Sequence, residues 1–249
     1  MANKIDYYRW MKGPYFIKQS RVGLDPKLKY PVIMKPAICT GLGKNVAKIH
    51  NNEEAKEYLD RFKNTREKII VQDYYPAQYE AGVLYERYPW EKRGRIISAV
   101  QKKLKNKTNE FQPRSCGRGI CLDMTDQWLT PLNRQILIDE IERIPDINAC
   151  RLDLLFDSIE DFKQGQGFKI VEVNGRCGQD LRCVKYYPKY TPSYLCFFTS
   201  HTSRRILMGL GNILRGRGFN AIELIRILPT KMRMAYQEGD LNCLVNQDF

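Results

Sequence analysis

Two short segments hold the residues with the most chemistry. In Cys150 to Phe156, Arg151, Asp153 and Leu155 fall on alternate positions, and in Phe168 to Asn174 so do Ile170, Glu172 and Asn174. Strand side chains alternate faces, so each set is expected on one face of its strand. Antiparallel pairing about the intervening Asp157 to Gly167 loop sets Arg151 opposite Asn174 and Asp153 opposite Glu172. Carboxylates opposed at about 5 Å between Cβ atoms repel unless a proton or cation stands between them. Asp, Glu and an Asn carbonyl oxygen are hard ligands of the kind Mg²⁺ takes, with phosphates and water completing the octahedron. Arg151 beside them would hold an anion. The same residues also fit a solvent-facing hairpin with a salt bridge.

Familiar phosphate loops do not occur. Gly41-Leu42-Gly43-Lys44 lacks Walker spacing and is followed by Asn45, and the third glycine of a dinucleotide fingerprint would fall on Val46. Glycines between a strand and a helix still let backbone N–H groups approach phosphate.

The elements that must position these residues read as follows. Val32-Ile33-Met34-Lys35 is a strand closed by prolines, within Tyr30 to Pro36. After the glycine loop, an Asn51-x-x-Glu54 box opens a helix whose buried face is Ala55, Tyr58, Leu59 and Phe62. Ile69 to Gln72 is a β-branched strand, and Tyr79 to Arg87 with Arg95 to Lys102 form a hairpin. Thr130 caps a helix with Pro131 at its first position, continued by Ile136, Leu137, Glu140, Ile141 and Ile144. The two strands of the opening paragraph follow. Strands and helices mixed with a hairpin argue for α+β or α/β architecture.

A chain of 249 residues with 43% apolar content can bury a real core. Its +13 charge favours anionic partners. Between Arg87 and Arg118 ten Lys or Arg face only Glu91 and Glu110, so +8 of the excess lies in one strip at residues 87–118. That strip is read either as an anion-facing surface or as a charged sheet edge. No apolar run reaches the roughly 20 residues of a membrane-spanning helix, and the first residues are too polar for a signal peptide. A cytoplasmic chain with reduced thiols at its eight scattered cysteines is the expectation.

Taken in order, YPVIMKP, the glycine loop with NNEEAKEYL, IIVQDYYPAQYEAGVLYERYP, RGRIISAVQKK, ACRLDLLF and FKIVEVNG resemble the ATP-grasp superfamily, particularly its carboxylate-amine ligase branch. The resemblance covers about residues 25 to 185. It implies an α+β fold in which two subdomains with antiparallel sheets clasp ATP. Residues 1–29 would precede the core, 30–200 would form it, and 201–249 would close it as a helical segment. The likeness gives Lys35 the role of the strand lysine that reaches ATP phosphates, with Lys102 a second such residue. Gly41 and Gly43 become the loop over the phosphates. Gln72, Asp73 and Tyr75 belong to the hinge that reads adenine, through the Asp73 carbonyl and the Tyr75 N–H. Glu80 matches the acid on the ribose hydroxyls. Asp153, Glu172 and Asn174 match the ligands of Mg²⁺, for which Mn²⁺ can substitute, and Arg151 matches the arginine at the reacting phosphate.

The implied reaction joins a small carboxylate to an amine through an acylphosphate. Two rivals are an ATP-grasp small-molecule kinase, which stops at a phosphate ester, and a non-catalytic basic ATP-binding module contacting nucleic acid or an anionic membrane. The chain departs from the family in three places: about thirty residues precede the lysine strand, the glycine loop is poor in glycine, and Lys103 to Cys121 is rich in Lys and Arg. In the tail, Ile206, Leu207, Leu210, Ile213 and Leu214 form an apolar helical face beside Arg204, Arg205, Arg215 and Arg217. This face is expected to pack on the core.

Overall fold

The computed structural model describes residues 7–21, 28–37, 45–65, 68–88, 90–104, 111, 119–145 and 147–175. In chain order the elements are β1 (Gln19–Arg21), β2 (Val32–Pro36), β3 (Ala47–Ile49), α1 (Asn52–Asp60), β4 (Ile69–Asp73), β5 (Tyr79–Glu86), β6 (Arg95–Leu104), β7 (Gly119–Asp123), α2 (Thr125–Trp128), α3 (Pro131–Glu142), β8 (Ala149–Phe156), α4 (Ile159–Lys163) and β9 (Phe168–Asn174). They build two antiparallel sheets, a small one in the order β1-β4-β2-β3 and a large one in the order β7-β6-β5-β8-β9. The expected α+β architecture is therefore present.

The small sheet packs Val32, Met34, Ile69 and Val71 against Ala55 and Tyr58 of α1. That helix starts at the expected place: Asn51 accepts from the Glu54 N–H at 2.9 Å. The Glu54 carboxylate returns to the N–H of His50 at 2.8 Å, one residue earlier than a standard box requires. The large sheet rests on α3, whose Thr130 cap and Pro131 are joined by Asn133. This buried side chain accepts from the Thr130 N–H and donates to the carbonyls of Trp128 and Phe162. Phe156 stacks on Phe162 at 4.5 Å and on Tyr79 at 5.4 Å, with Trp128 edge-on at 5.1 Å.

Four expectations change. The Asp157 to Gly167 connection holds α4, capped by Ser158, which accepts from the Asp161 N–H. It ends in a Schellman motif, in which Gly165 at φ +71° donates to Phe162 and Gln166 donates to Asp161. The short strands β1, β3 and β7 and the turn of helix α2 add to the elements read from sequence. Ile170 does not share a face with Glu172, for a reason given below. Finally, Cys121 is disulfide-bonded rather than a thiol, whereas Cys150 is a buried free thiol.

Candidate active site

The register expected from sequence is the one observed: Arg151 pairs with Asn174 and Asp153 with Glu172. One step further along, Leu154 pairs with Ile170, so Val171 is an extra residue on β9. This bulge puts Ile170 with the buried Leu152 and Leu154 in the core. It also frees the Val171 carbonyl, which accepts from Gln72 Nε2 at 2.8 Å and from Lys35 Nζ at 3.5 Å. Bulges redirect side chains and break ladder pairing beside functional sites. Here the bulge is where the small sheet meets the large one.

On the large sheet the side chains form a connected row. Lys102 of β6 reaches Glu80 Oε1 of β5 and Asp153 Oδ1 of β8, each at 3.0 Å. Gly82 pairs with Asp153 and adds no side chain to the row that Lys102 crosses. Arg151 Nε donates to Asp153 Oδ1 at 2.9 Å, and Asn174 Nδ2 donates to Asp153 Oδ2 at 3.1 Å. From the small sheet, Lys35 Nζ lies 3.7 Å from Glu172 Oε2 and donates to Gln72 Oε1 at 3.2 Å. The side chains of both lysines are only 6% exposed. Three cations thus meet three carboxylates in a largely dry junction, where charges are tolerated only when paired.

Burial would raise the Asp153 pKa, but Arg151 and Lys102 override it and hold the carboxyl well below the usual range. Burial likewise works to lower that of Lys102, and the carboxylates of Asp153 and Glu80 overcome it, so its pKa is raised. Both groups are charged at neutral pH. An ionised Asp153, Glu172 and the Asn174 amide oxygen are a donor set that fits Mg²⁺, which binds through one or two carboxylates and keeps waters and phosphates. Among the described residues no group of three His, Cys, Asp or Glu forms a metal cluster.

The other expected site residues divide. Gln72 is a buried member of β4 whose side chain ties Lys35, Gln19 and Val171 together. Asp73 ends β4, and its N–H donates to Lys18 O at 3.0 Å. Tyr75 lies on the connection from β4 to β5, the covalent link between the sheets, and its hydroxyl reaches Gly167 O at 3.4 Å. Its neighbour Tyr74 lies under Lys48, with Nζ 4.1 Å from the ring centre. Neither Asp73 nor Tyr75 joins the charged row. Gly41 and Gly43 lie outside the described residues, as does the 201–249 segment. Within the basic strip, Arg93 pairs with Asp139 and Glu142, Arg95 pairs with Glu91, and Lys102 turns into the site. Much of its remainder lies outside the described residues. No described helix is long and apolar enough to cross a membrane.

No family model matches the sequence, and no curated protein matches it. Solved structures do match in shape. The ADP complex of N5-carboxyaminoimidazole ribonucleotide synthetase superposes with a TM-score of 0.51 at 12% identity, over 76% of this chain and 48% of that one. The chain has an ATP-grasp-like fold. Two ligases are similar at lower scores. They are an L-amino acid ligase from Bacillus licheniformis (TM-score 0.47, 16% identity, 70% of this chain and 39% of that one) and the VanG D-Ala:D-Ser ligase from Enterococcus faecalis (0.48, 15%, 70% and 52%). The chain spans about half the length of these proteins or less.

Proposed function

We propose that this chain is an ATP- and Mg²⁺-dependent carboxylate-amine ligase acting through an acylphosphate. The observation that carries the reading is the charged row at the sheet junction, where Lys35, Lys102 and Arg151 meet Glu80, Asp153 and Glu172. In this reading Lys35 and Lys102 bind the polyphosphate, and Glu80, released from Lys102, takes the ribose hydroxyls. Asp153, Glu172 and Asn174 Oδ1 would hold Mg²⁺, which supplies charge neutralisation on the phosphate oxygens.

A substrate carboxylate oxygen attacks the γ-phosphorus, the bond to the ADP oxygen breaks, and ADP leaves. An amine nitrogen then attacks the acyl carbon, the tetrahedral centre expels phosphate, and the nitrogen loses a proton. Arg151 faces the charge that develops on the phosphoryl group and on that centre, and fixed cations in a dry site are the main source of rate in such transfers. The hinge roles of Asp73 and Tyr75 and the loop roles of Gly41 and Gly43 belong to the same proposal.

The test is a phosphate-release screen with Mg-ATP against amino acids, small peptides and polyamines, with mass spectrometry of the product. An amide supports the ligase, and a stable phosphate ester assigns the chain to kinase chemistry instead. Glu172→Gln is expected to abolish turnover while preserving the fold. Unchanged turnover in that variant would remove the metal-site assignment.

A further inference from the structure

Tyr8 stands where the two sheets meet. Its ring packs against Ala37 and Ile70 of the small sheet and against the core of the large one. Its hydroxyl is buried and meets no hydrogen-bond partner among the described residues. Such an orphan carries a desolvation cost that a phenylalanine of the same shape would avoid. The cost calls for a purpose outside packing.

Its surroundings supply one. Ile70 pairs with Lys35 in the small sheet, so the ring lies beside the cation expected to hold phosphate. Burial, and after it the charge of Glu172, pushes the Tyr8 pKa well above the ordinary tyrosine value, which places the hydroxyl within reach of that carboxylate's field. The preceding residue fixes the turn. A Cβ at Gly175 would come within 2.0 Å of Tyr7 Oη, so Tyr7 is seated against the end of the strand that carries Glu172 and Asn174.

A phenol in this position is a donor waiting for an acceptor. Its neighbours select an anionic oxygen, because Lys35 attracts one and Glu172 is already paired with Lys35. Resting on the ATP-dependent reading above, we propose that Tyr8 is a nucleotide-contacting residue whose hydroxyl donates to a terminal phosphate oxygen of ATP held by Lys35. The segment before the first sheet then supplies part of the site, as well as a strand of the small sheet.

The experiment compares full-length wild type with Tyr8→Phe by calorimetry, using Mg²⁺ with ADP and with the non-hydrolysable analogue AMPPNP, and by thermal unfolding. The variant is expected to unfold at the same or a higher temperature, to bind ADP as the wild type does, and to bind AMPPNP about tenfold more weakly. Equal AMPPNP affinity in the two proteins overturns the assignment. An equal loss for both nucleotides overturns it too, making Tyr8 a determinant of cleft shape. A lower unfolding temperature does the same, because the hydroxyl would then have a structural partner. A wild-type chain that binds neither nucleotide removes the ATP-dependent reading itself. One that binds both, with the variant indistinguishable, removes only the role of Tyr8.

Discussion

The large sheet carries Lys102, Glu80, Arg151, Asp153, Glu172 and Asn174 above a core of 21 buried residues, whereas the small sheet brings Lys35 and Gln72 above a core of seven, counted among the described residues. The contacts differ in the same sense. Lys102, Arg151 and Asn174 approach Asp153 at 2.9 to 3.1 Å, while Lys35 reaches Gln72, Val171 and Glu172 at 3.2 to 3.7 Å. Charges that must keep their places sit on the sheet with the most packing behind it. The sheet with less packing behind it contributes one buried cation, Lys35, that reaches across to Glu172 and the Val171 carbonyl of the large sheet.

Removing Lys102 should break the platform. Lys102→Ala takes a cation 3.0 Å away from both Glu80 and Asp153, and losing one partner of a buried ion pair costs about 3 to 5 kcal/mol. Because Arg151 remains, a loss of about 3 kcal/mol in urea denaturation is expected. A loss below about 1 kcal/mol, the scale of an exposed pair, would place the row in solvent and erase the distinction between the sheets.

Lys35→Ala should act more on the ligand than on the fold. Its pair with Glu172, at 3.7 Å, is longer than the 3.0 Å pairs of Lys102, so the loss on unfolding is expected to be smaller than in Lys102→Ala. Mg-ATP affinity should fall by about 1.5 to 3 kcal/mol, the scale of a hydrogen bond to a charged group. Calorimetry showing equal affinity for wild type and variant would make Lys35 a structural residue.

Much of this contrast was legible in the sequence. Alternation in ACRLDLLF and FKIVEVNG was enough to set Asp153 opposite Glu172, because a strand has only two faces and each segment offers only one polar one. The same even alternation hid the bulge at Val171, since a bulge changes pairing without changing composition. The helix at 159–163 did leave a mark, in Ser158 three residues before Asp161 and in the glycines that follow, but at five residues it falls below any periodic signal. The strands β1 and β3 hold three residues each and are made by their neighbours rather than by propensity. Gln72 was read as part of the hinge, and nothing in its type signals a side chain that bridges two sheets. Tyr8 gave no signal at all, because its importance lies in a partner that its own sequence neighbourhood does not contain.

Acid should attack the large sheet first. The Asp153 pKa is depressed in the folded chain, so this group stabilises the fold above its unfolded value of about 3.9 and the contribution is lost as pH falls through the folded value. Lys102 has the opposite sign: its raised pKa stabilises below about 10.4 and is lost only as pH rises through the folded value. Denaturation midpoints are therefore expected to hold steady from about pH 5 to pH 9 so far as these two groups act, and to fall below about pH 4. In Lys102→Ala the acid limb should move to higher pH, because Asp153 loses one of the two cations that depress it. An unmoved limb would show that Arg151 alone sets the Asp153 pKa.

The smallest effect belongs to the small sheet. Asn51 accepts from the Glu54 N–H and, through Nδ2, donates to the Glu54 carboxylate at 3.1 Å, while that carboxylate also holds the His50 N–H. Asn51→Ala removes both side-chain bonds and leaves an N-terminal donor of α1 to water, at a cost of about 1 kcal/mol. Because α1 packs, among the described residues, on the small sheet's core, the cost should appear as faster hydrogen exchange in α1, β2 and β4, with β5 and β8 unchanged. Exchange that rises equally in both sheets would mean that the small sheet opens only when the whole molecule does. The junction at Val171, Gln72 and Lys35 would then be a rigid weld between the two sheets.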